Sequence, residues 1–165
     1  MGTVVSWKQL LLRALDSNSS LKHSSYFQLA TVGSSGRPSN RTVVFRGFQG
    51  DSDKIQINTD GRTRKIEELK HCPFSEEREN AWFASSLKSR LQYLGPNPGL
   101  PCLSEQPAQE CSPDPSTGPV AAFCLLILDP DQVDYLNLKN NERLTFTSSK
   151  NVDGVKCWNS EKINP

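Results

Sequence analysis

Apolar residues recur at a helical interval at the start of the chain and at a strand interval over most of the rest. Trp7, Leu10, Leu11, Ala14 and Leu15 fall at i, i+3, i+4, i+7 and i+8, which predicts a helix over Trp7–Ser17 with Ser6 as its cap. Ser17–Ser24 is polar and turn-like. Tyr26–Val32 then alternates as a strand, and Gly33-Ser34-Ser35-Gly36 closes a hairpin into the β-branched run Asn40–Phe45. Phe48–Asp53, flanked by Gly47, supplies a turn into Lys54–Thr59, where Ile55 and Ile57 alternate with polar neighbours. After the turn dipeptide Asp60-Gly61, a short helix is predicted over Thr63–Lys70, ended by His71-Cys72-Pro73. A longer helix is predicted over Ser75–Leu94, with Trp82, Phe83, Leu87, Leu91 and Leu94 on its apolar side. The run Val120–Leu128 reads as a buried strand. Val133–Leu138, a turn at Asn140-Asn141, Arg143–Ser148, a turn at Lys150–Gly154 and Val155–Trp158 complete a meander.

Composition narrows this picture. A chain of 165 residues suits one domain with a real core. Its hydrophobic content of 35% and mean hydropathy of −0.54 mark part of it as loop. That part is 95–119, which holds seven of the eleven prolines. A net charge of +1 argues against a general nucleic-acid binder. No apolar run is long enough to span a bilayer, and Met1–Ser6 lacks the regions of a secretory signal. Met1-Gly2-Thr3-Val4-Val5-Ser6 fits the loose myristoylation pattern, but no polybasic patch stands beside it, so no membrane partner is expected. The five cysteines contain no CxxC, and their odd number fits reduced thiols in the cytoplasm. With only His23 and His71 present, no metal site is expected. Adjacency of His71 and Cys72 does not make a nucleophile pair, because neighbours at a helix end point apart.

Charge is concentrated in one stretch. From Arg37 to Lys65, seven cations (Arg37, Arg41, Arg46, Lys54, Arg62, Arg64, Lys65) face three aspartates, a local net of +4. Cations beside Thr59, Thr63 and the start of a helix would suit a phosphate, and arginine's planar fork matches its oxygens. The same charges would also suit the solvated ends of a meander, and charge alone leaves both readings open.

The order of residues in that stretch resembles the pyridoxamine 5'-phosphate oxidase family. The family reads Arg-x-Val-Leu-Leu-Lys, then Tyr-Thr-Asn, then Ser-Arg-Lys. Here Arg41-Thr42-Val43-Val44-Phe45-Arg46, Asn58-Thr59 and Thr63-Arg64-Lys65 hold those places. RTVVFRGF and the Arg-Lys-Ile-Glu-Glu-Leu helix are most similar to its Alr-type plant and cyanobacterial branch. The resemblance implies a mainly β fold, an FMN-binding split β-barrel of Greek-key type with peripheral helices. It also implies one domain over 1–165 and a homodimer with FMN at its interface. Cofactor contacts would fall on Arg41, Thr42, Val43, Val44, Asn58, Thr59, Thr63, Arg64 and Lys65. Among these, Thr59, Thr63, Arg64 and Lys65 would clamp the phosphate. Substrate contacts would fall on Arg46 and Arg143, and no side chain stands out as a dedicated acid or base.

Two departures from the family pattern carry consequences. Between Glu76 and Arg78 the family carries a barrel hairpin that this chain lacks, which implies an incomplete barrel and a shortened isoform. Leu136 stands where the family has Trp. Arg143-Leu144-Thr145-Phe146-Thr147 stands where it has Arg-Leu-His-Asp-Arg, so the His and the last Arg are replaced by Thr145 and Thr147. The expected function is that of an FMN-binding flavoprotein, with oxidoreductase activity on a primary amine or related small substrate and oxygen as acceptor. The alternatives are a module that holds flavin or a phosphorylated ligand without turnover, and an inactive truncated form.

Overall fold

The computed structural model describes residues 5–33, 35–69, 75–101, 114 and 116–165, and of 75–77 the backbone alone. The acylation pattern at the N-terminus, the His71-Cys72 pair and most of the proline-rich loop therefore lie outside the described residues. The chain divides into two compact units. One comprises Met1–Ser25, Phe48–Ile55 and Leu128–Pro165, and the other Tyr26–Gly47 and Gln56–Ile127.

In the first unit, helix α1 (Trp7–Ser17) has the predicted bounds. Ser6 caps it with a reciprocal pair: the Gln9 N–H donates to Ser6 Oγ at 3.3 Å and the Ser6 N–H to Gln9 Oε1 at 3.2 Å. Trp7 is buried and meets Phe48 and Trp158 edge-on, with ring centroids 5.7 and 5.6 Å away. It is a core residue, as its place on the apolar stripe predicts. The strands β5 (Gln132–Asn137), β6 (Glu142–Lys150) and β7 (Lys156–Ile163) form an antiparallel sheet in that order. Asn141 takes a φ of 51° at the β5–β6 turn, a conformation asparagine tolerates. Strand β7 runs five residues past the predicted Trp158, because its polar tail Asn159–Ile163 pairs residue for residue with Arg143–Thr147. A single-strand pattern of polar residues carries no sign of that pairing.

The second unit holds β1 (Tyr26–Val32), β2 (Pro38–Val44) and, apart from the end residues Ile55 and Leu128, β3 (Ile55–Asp60) and β4 (Phe123–Leu128). β1 and β2 form an antiparallel hairpin whose register pairs Leu29 with Arg41 and Thr31 with Ser39. Leu29, Thr31, Ser39, Arg41 and Val43 therefore share one face, with Thr42 and Val44 on the other. β3 pairs with β4, and Ile57, Thr59, Phe123, Cys124 and Leu125 are buried there. Among the described residues the strands form three separate sheets and close no barrel, as the shortened sequence implies.

The predicted Ser75–Leu94 helix is instead two: α3 (Ser75–Phe83) and α4 (Leu87–Leu91). Two serines cause the break. Ser85 Oγ donates back to the Ala81 carbonyl at 2.9 Å, and Ser86 Oγ accepts from the Ser89 N–H at 3.3 Å as a fresh N-cap. The apolar spacing continues across the break and hides it. The helix expected over Thr63–Lys70 is described as α2 (Arg64–Leu69), six residues long, so its side chains rather than a macrodipole must provide any anion affinity. α3 runs unbroken through Glu77-Arg78. There the Arg78 guanidinium ties the helix to β4, donating to the Phe123 carbonyl at 2.8 Å and the Val120 carbonyl at 2.5 Å.

Candidate functional site

Three features of the second unit lie along the strands that carry the basic run. The first is the turn from β3 into α2. Asp60 accepts from the Arg62 backbone N–H at 2.8 Å and from its guanidinium at 2.9 and 2.6 Å. Burial pushes the Asp60 carboxyl up, but the Arg62 contacts outweigh it and hold the group below its ordinary value. The other end of the Arg62 guanidinium reaches the Gly95 carbonyl and Asn97 Oδ1, each at 3.0 Å, and so ties the turn to the segment after α4. Thr63 Oγ1 donates to the Asp60 carbonyl at 2.7 Å and accepts from Lys65 Nζ at 2.8 Å.

Lys65 is half-buried. Burial first, and the Arg41 charge second, press its ammonium below the usual lysine value. Two cations are thus held close together in a partly desolvated place, where an anion would relieve both effects. Thr59, one residue before this turn, is buried to 4% exposure, and its Oγ1 has no hydrogen-bond partner. Arg64 is exposed beside them.

The second feature is a ring of hydrogen bonds on the shared face of the β1–β2 hairpin. Arg41 donates through Nη1 to Thr31 Oγ1 and through Nη2 to Glu68 Oε2, the latter at 2.8 Å. Thr31 Oγ1 in turn donates to Glu68 Oε2, and Ser39 Oγ reaches Glu68 Oε1 at 3.4 Å. The Thr31 hydroxyl first, then Arg41 and Ser39, hold the Glu68 carboxyl below its ordinary value against the effect of burial.

The third feature is a cavity of about 390 Å³ lined by Phe45–Gly47, by Gln56 and Asn58, and by Ala81, Ala84 and Ser85. Its size suits a small ligand. Asn58 Nδ2 donates to Ser85 Oγ at 2.9 Å, whereas its buried Oδ1 accepts from no group. Arg46 is an exposed cation on the wall. Tyr93, packed edge-on against Phe123 at 5.0 Å, has its phenol pushed up by burial, with the Arg46 charge opposing.

The residues predicted from sequence are thus placed unevenly. Thr63 and Lys65 are in contact, Lys65 feels Arg41, and Arg46 and Asn58 line one cavity. Thr42 lies on the face opposite Arg41 and accepts from Gln28 Nε2 at 2.9 Å. Val43 is buried and Val44 partly so. Arg143 belongs to the first unit, where the Asp134 carboxylate grips it at 2.6 and 3.0 Å. Sequence reasoning missed Glu68, Thr31, Ser39 and Ser85. Glu68 sat in a helix rich in charge, and only the hairpin register sets Thr31 and Ser39 opposite it.

Two buried oxygens without hydrogen-bond partners, Thr59 Oγ1 just before the turn that carries Lys65 and Asn58 Oδ1 on a residue of the cavity wall, suit a ligand that carries both a phosphate and a polar aromatic ring edge. The sequence model of the pyridoxamine 5'-phosphate oxidase FMN-binding domain matches residues 4–93, more than half of the chain and every cofactor position named above. The chain belongs to this family, whose cofactor is FMN. More particularly, it is 56% identical to pyridoxine/pyridoxamine 5'-phosphate oxidase 2 of Arabidopsis thaliana, in an alignment covering all of both chains. That alignment runs over 198 residues, 33 more than this chain has, in keeping with an internal segment missing here. The fold is similar to that of an FMN-binding, pyridoxamine 5'-phosphate oxidase-related protein of Nostoc punctiforme PCC 73102. The TM-score is 0.83, with 33% identity over 99% of this chain and 100% of that one. At 15% identity and a TM-score of 0.64, PhzG of Burkholderia lata 383, solved with tetrahydrophenazine-1-carboxylic acid, shares the fold over 99% of this chain and 98% of its own. Among the described residues no three His, Cys, Asp or Glu side chains cluster so as to hold a metal ion, and no helix is long and apolar enough to cross a membrane.

Proposed function

We propose that this chain binds FMN with Thr59, Thr63, Arg64 and Lys65 as a phosphate clamp, with Arg41, Val43 and Val44 along the flavin edge, and with Thr42 and Asn58 as further cofactor contacts. The observation that carries this reading is the Lys65 ammonium, half-buried on the Thr63 hydroxyl and close to the Arg41 charge, with the Thr59 hydroxyl unpartnered nearby in sequence. Bound FMN supplies hydride acceptance from a substrate carbon and reoxidation by oxygen; the protein supplies binding and electrostatics. The substrate is a primary amine or related small molecule whose anionic group meets Arg46 at the cavity wall. Arg143 is a second substrate contact. The working form is a homodimeric cytoplasmic protein, with residues 1–165 as one FMN-binding domain.

The clamp is tested by the double substitution Arg64→Ala with Lys65→Ala. Each charge-assisted hydrogen bond contributes about 1.5–3 kcal/mol, so FMN affinity should fall by about 100-fold or more. Riboflavin, which lacks the phosphate, should lose less than about threefold. Equal losses for both ligands in a fluorescence titration would reject the phosphate role.

A second reading, binding without turnover, is favoured by β6. Thr145 and Thr147 bring no titratable group, and Arg143 is already paired with Asp134. Purified protein that is yellow with FMN but leaves pyridoxamine 5'-phosphate unoxidised would select the module, and turnover would select the enzyme.

A further inference from the structure

We infer that Arg41, beyond its place along the flavin edge, also serves the phosphate clamp, and that Glu68 is its positioning residue: the Glu68 carboxylate, with Thr31, fixes the plane of the Arg41 guanidinium so that its remaining N–H groups are presented to the cofactor's phosphate beside Lys65. This rests on the reading that FMN binds at Arg41.

The argument begins with the geometry of the ring. Arg41 donates to Thr31 and to Glu68 from its two terminal nitrogens, and Thr31 donates onward to the same Glu68 oxygen. Three groups thus close on one another, which leaves the guanidinium no rotation that keeps both bonds. A guanidinium has five N–H groups, and the ring uses two, so three remain for another acceptor. The carboxylate therefore orients Arg41 without consuming it.

The location supports the same role. Glu68 sits one helical turn after Lys65 on α2, so one short helix brings an anchor for Arg41 and a second cation to the same face. The side chains of Arg41 and Glu68 are 21% and 12% exposed, which keeps water from competing strongly for the pair. Ser39, on the same strand as Arg41, adds a fourth contact, and Thr31 ties the carboxylate to the other strand of the hairpin. Without Glu68, the Arg41 charge would stay near Lys65 but its direction would be lost, and like-charge repulsion would turn it away.

The test is a set of FMN and riboflavin titrations on the full chain with Glu68→Ala, Glu68→Gln, Arg41→Ala and the double variant Arg41→Ala/Glu68→Ala. Glu68→Ala should weaken FMN binding by about tenfold or more and riboflavin by less than about twofold. Glu68→Gln retains an oxygen acceptor and should recover most of the FMN affinity. The double variant should bind FMN no more weakly than Arg41→Ala alone, because a positioning residue has nothing left to position. If Glu68 only staples α2 to the hairpin, both ligands lose affinity equally and the two substitutions add; that outcome overturns the proposal. Should Glu68→Ala fail to fold, the Glu68→Gln and Arg41→Ala titrations decide. Arg41→Ala losing affinity for FMN but not for riboflavin, while Glu68→Gln keeps most of both, supports positioning; a Gln variant that matches Arg41→Ala in FMN loss, or is weakened equally for both ligands, overturns it. A wild-type chain that does not prefer FMN over riboflavin at all rejects the clamp reading as well, which separates that failure from a failure of Glu68 alone.

Discussion

Replacing Trp82 by Phe tests how the cavity wall is held. Trp82 is 1% exposed, its indole N–H donates to the Thr117 carbonyl at 2.9 Å, and its ring meets Phe123 edge-on at 5.2 Å. Phenylalanine keeps a ring in the aromatic cluster but removes the donor, at a cost of about 1 kcal/mol. It also leaves a void of a few heavy atoms, which at about 24 cal/mol per Å³ costs roughly another 1 kcal/mol. The sum, about 2 kcal/mol, is a sizeable part of the 5–15 kcal/mol typical of a folded domain. For a chain of this length it corresponds to a fall in Tm of about 4–8 °C. Urea unfolding followed by far-UV circular dichroism measures the change directly. A loss below about 0.5 kcal/mol would be that of an ordinary surface substitution and would refute the packing argument.

Two further outcomes follow from the same unit. Ser86→Ala removes the N-cap of α4 and should lower the unfolding free energy by about 1 kcal/mol; an unchanged urea midpoint would mean that the break after α3 does not depend on this cap. Lys65 has a folded pKa below its ordinary 10.5, so its protonated form is disfavoured by folding; the deficit is fully present below the folded value and fades as pH rises towards 10.5. In the FMN-free protein, Lys65→Met should therefore be more stable than the parent at neutral pH, and the gap in Tm should close on the alkaline side. A gap independent of pH would show that burial and Arg41 do not act on this ammonium.

Much of the fold was legible in the order of residues because its elements are local. The α1 stripe, the Tyr26–Val32 alternation and the Asn141 turn each need only neighbours in sequence, and each lies where the pattern predicts. The motifs Arg41–Arg46, Asn58-Thr59 and Thr63–Lys65 pointed to the FMN family for the same reason: they are contiguous. What the tertiary structure decided is how those motifs are used. Which side Arg41 and Thr42 each present depends on strand faces, and the hairpin register sends their side chains to opposite sides. Glu68 gained its role from Thr31 and Ser39, which lie 37 and 29 residues away in sequence. The split of Ser75–Leu94 turned on two serine hydroxyls that prefer backbone partners to solvent, a choice invisible to apolar periodicity. Periodicity records which side of an element is apolar; hydrogen-bond partners across strands depend on distances that arise only once the chain has folded.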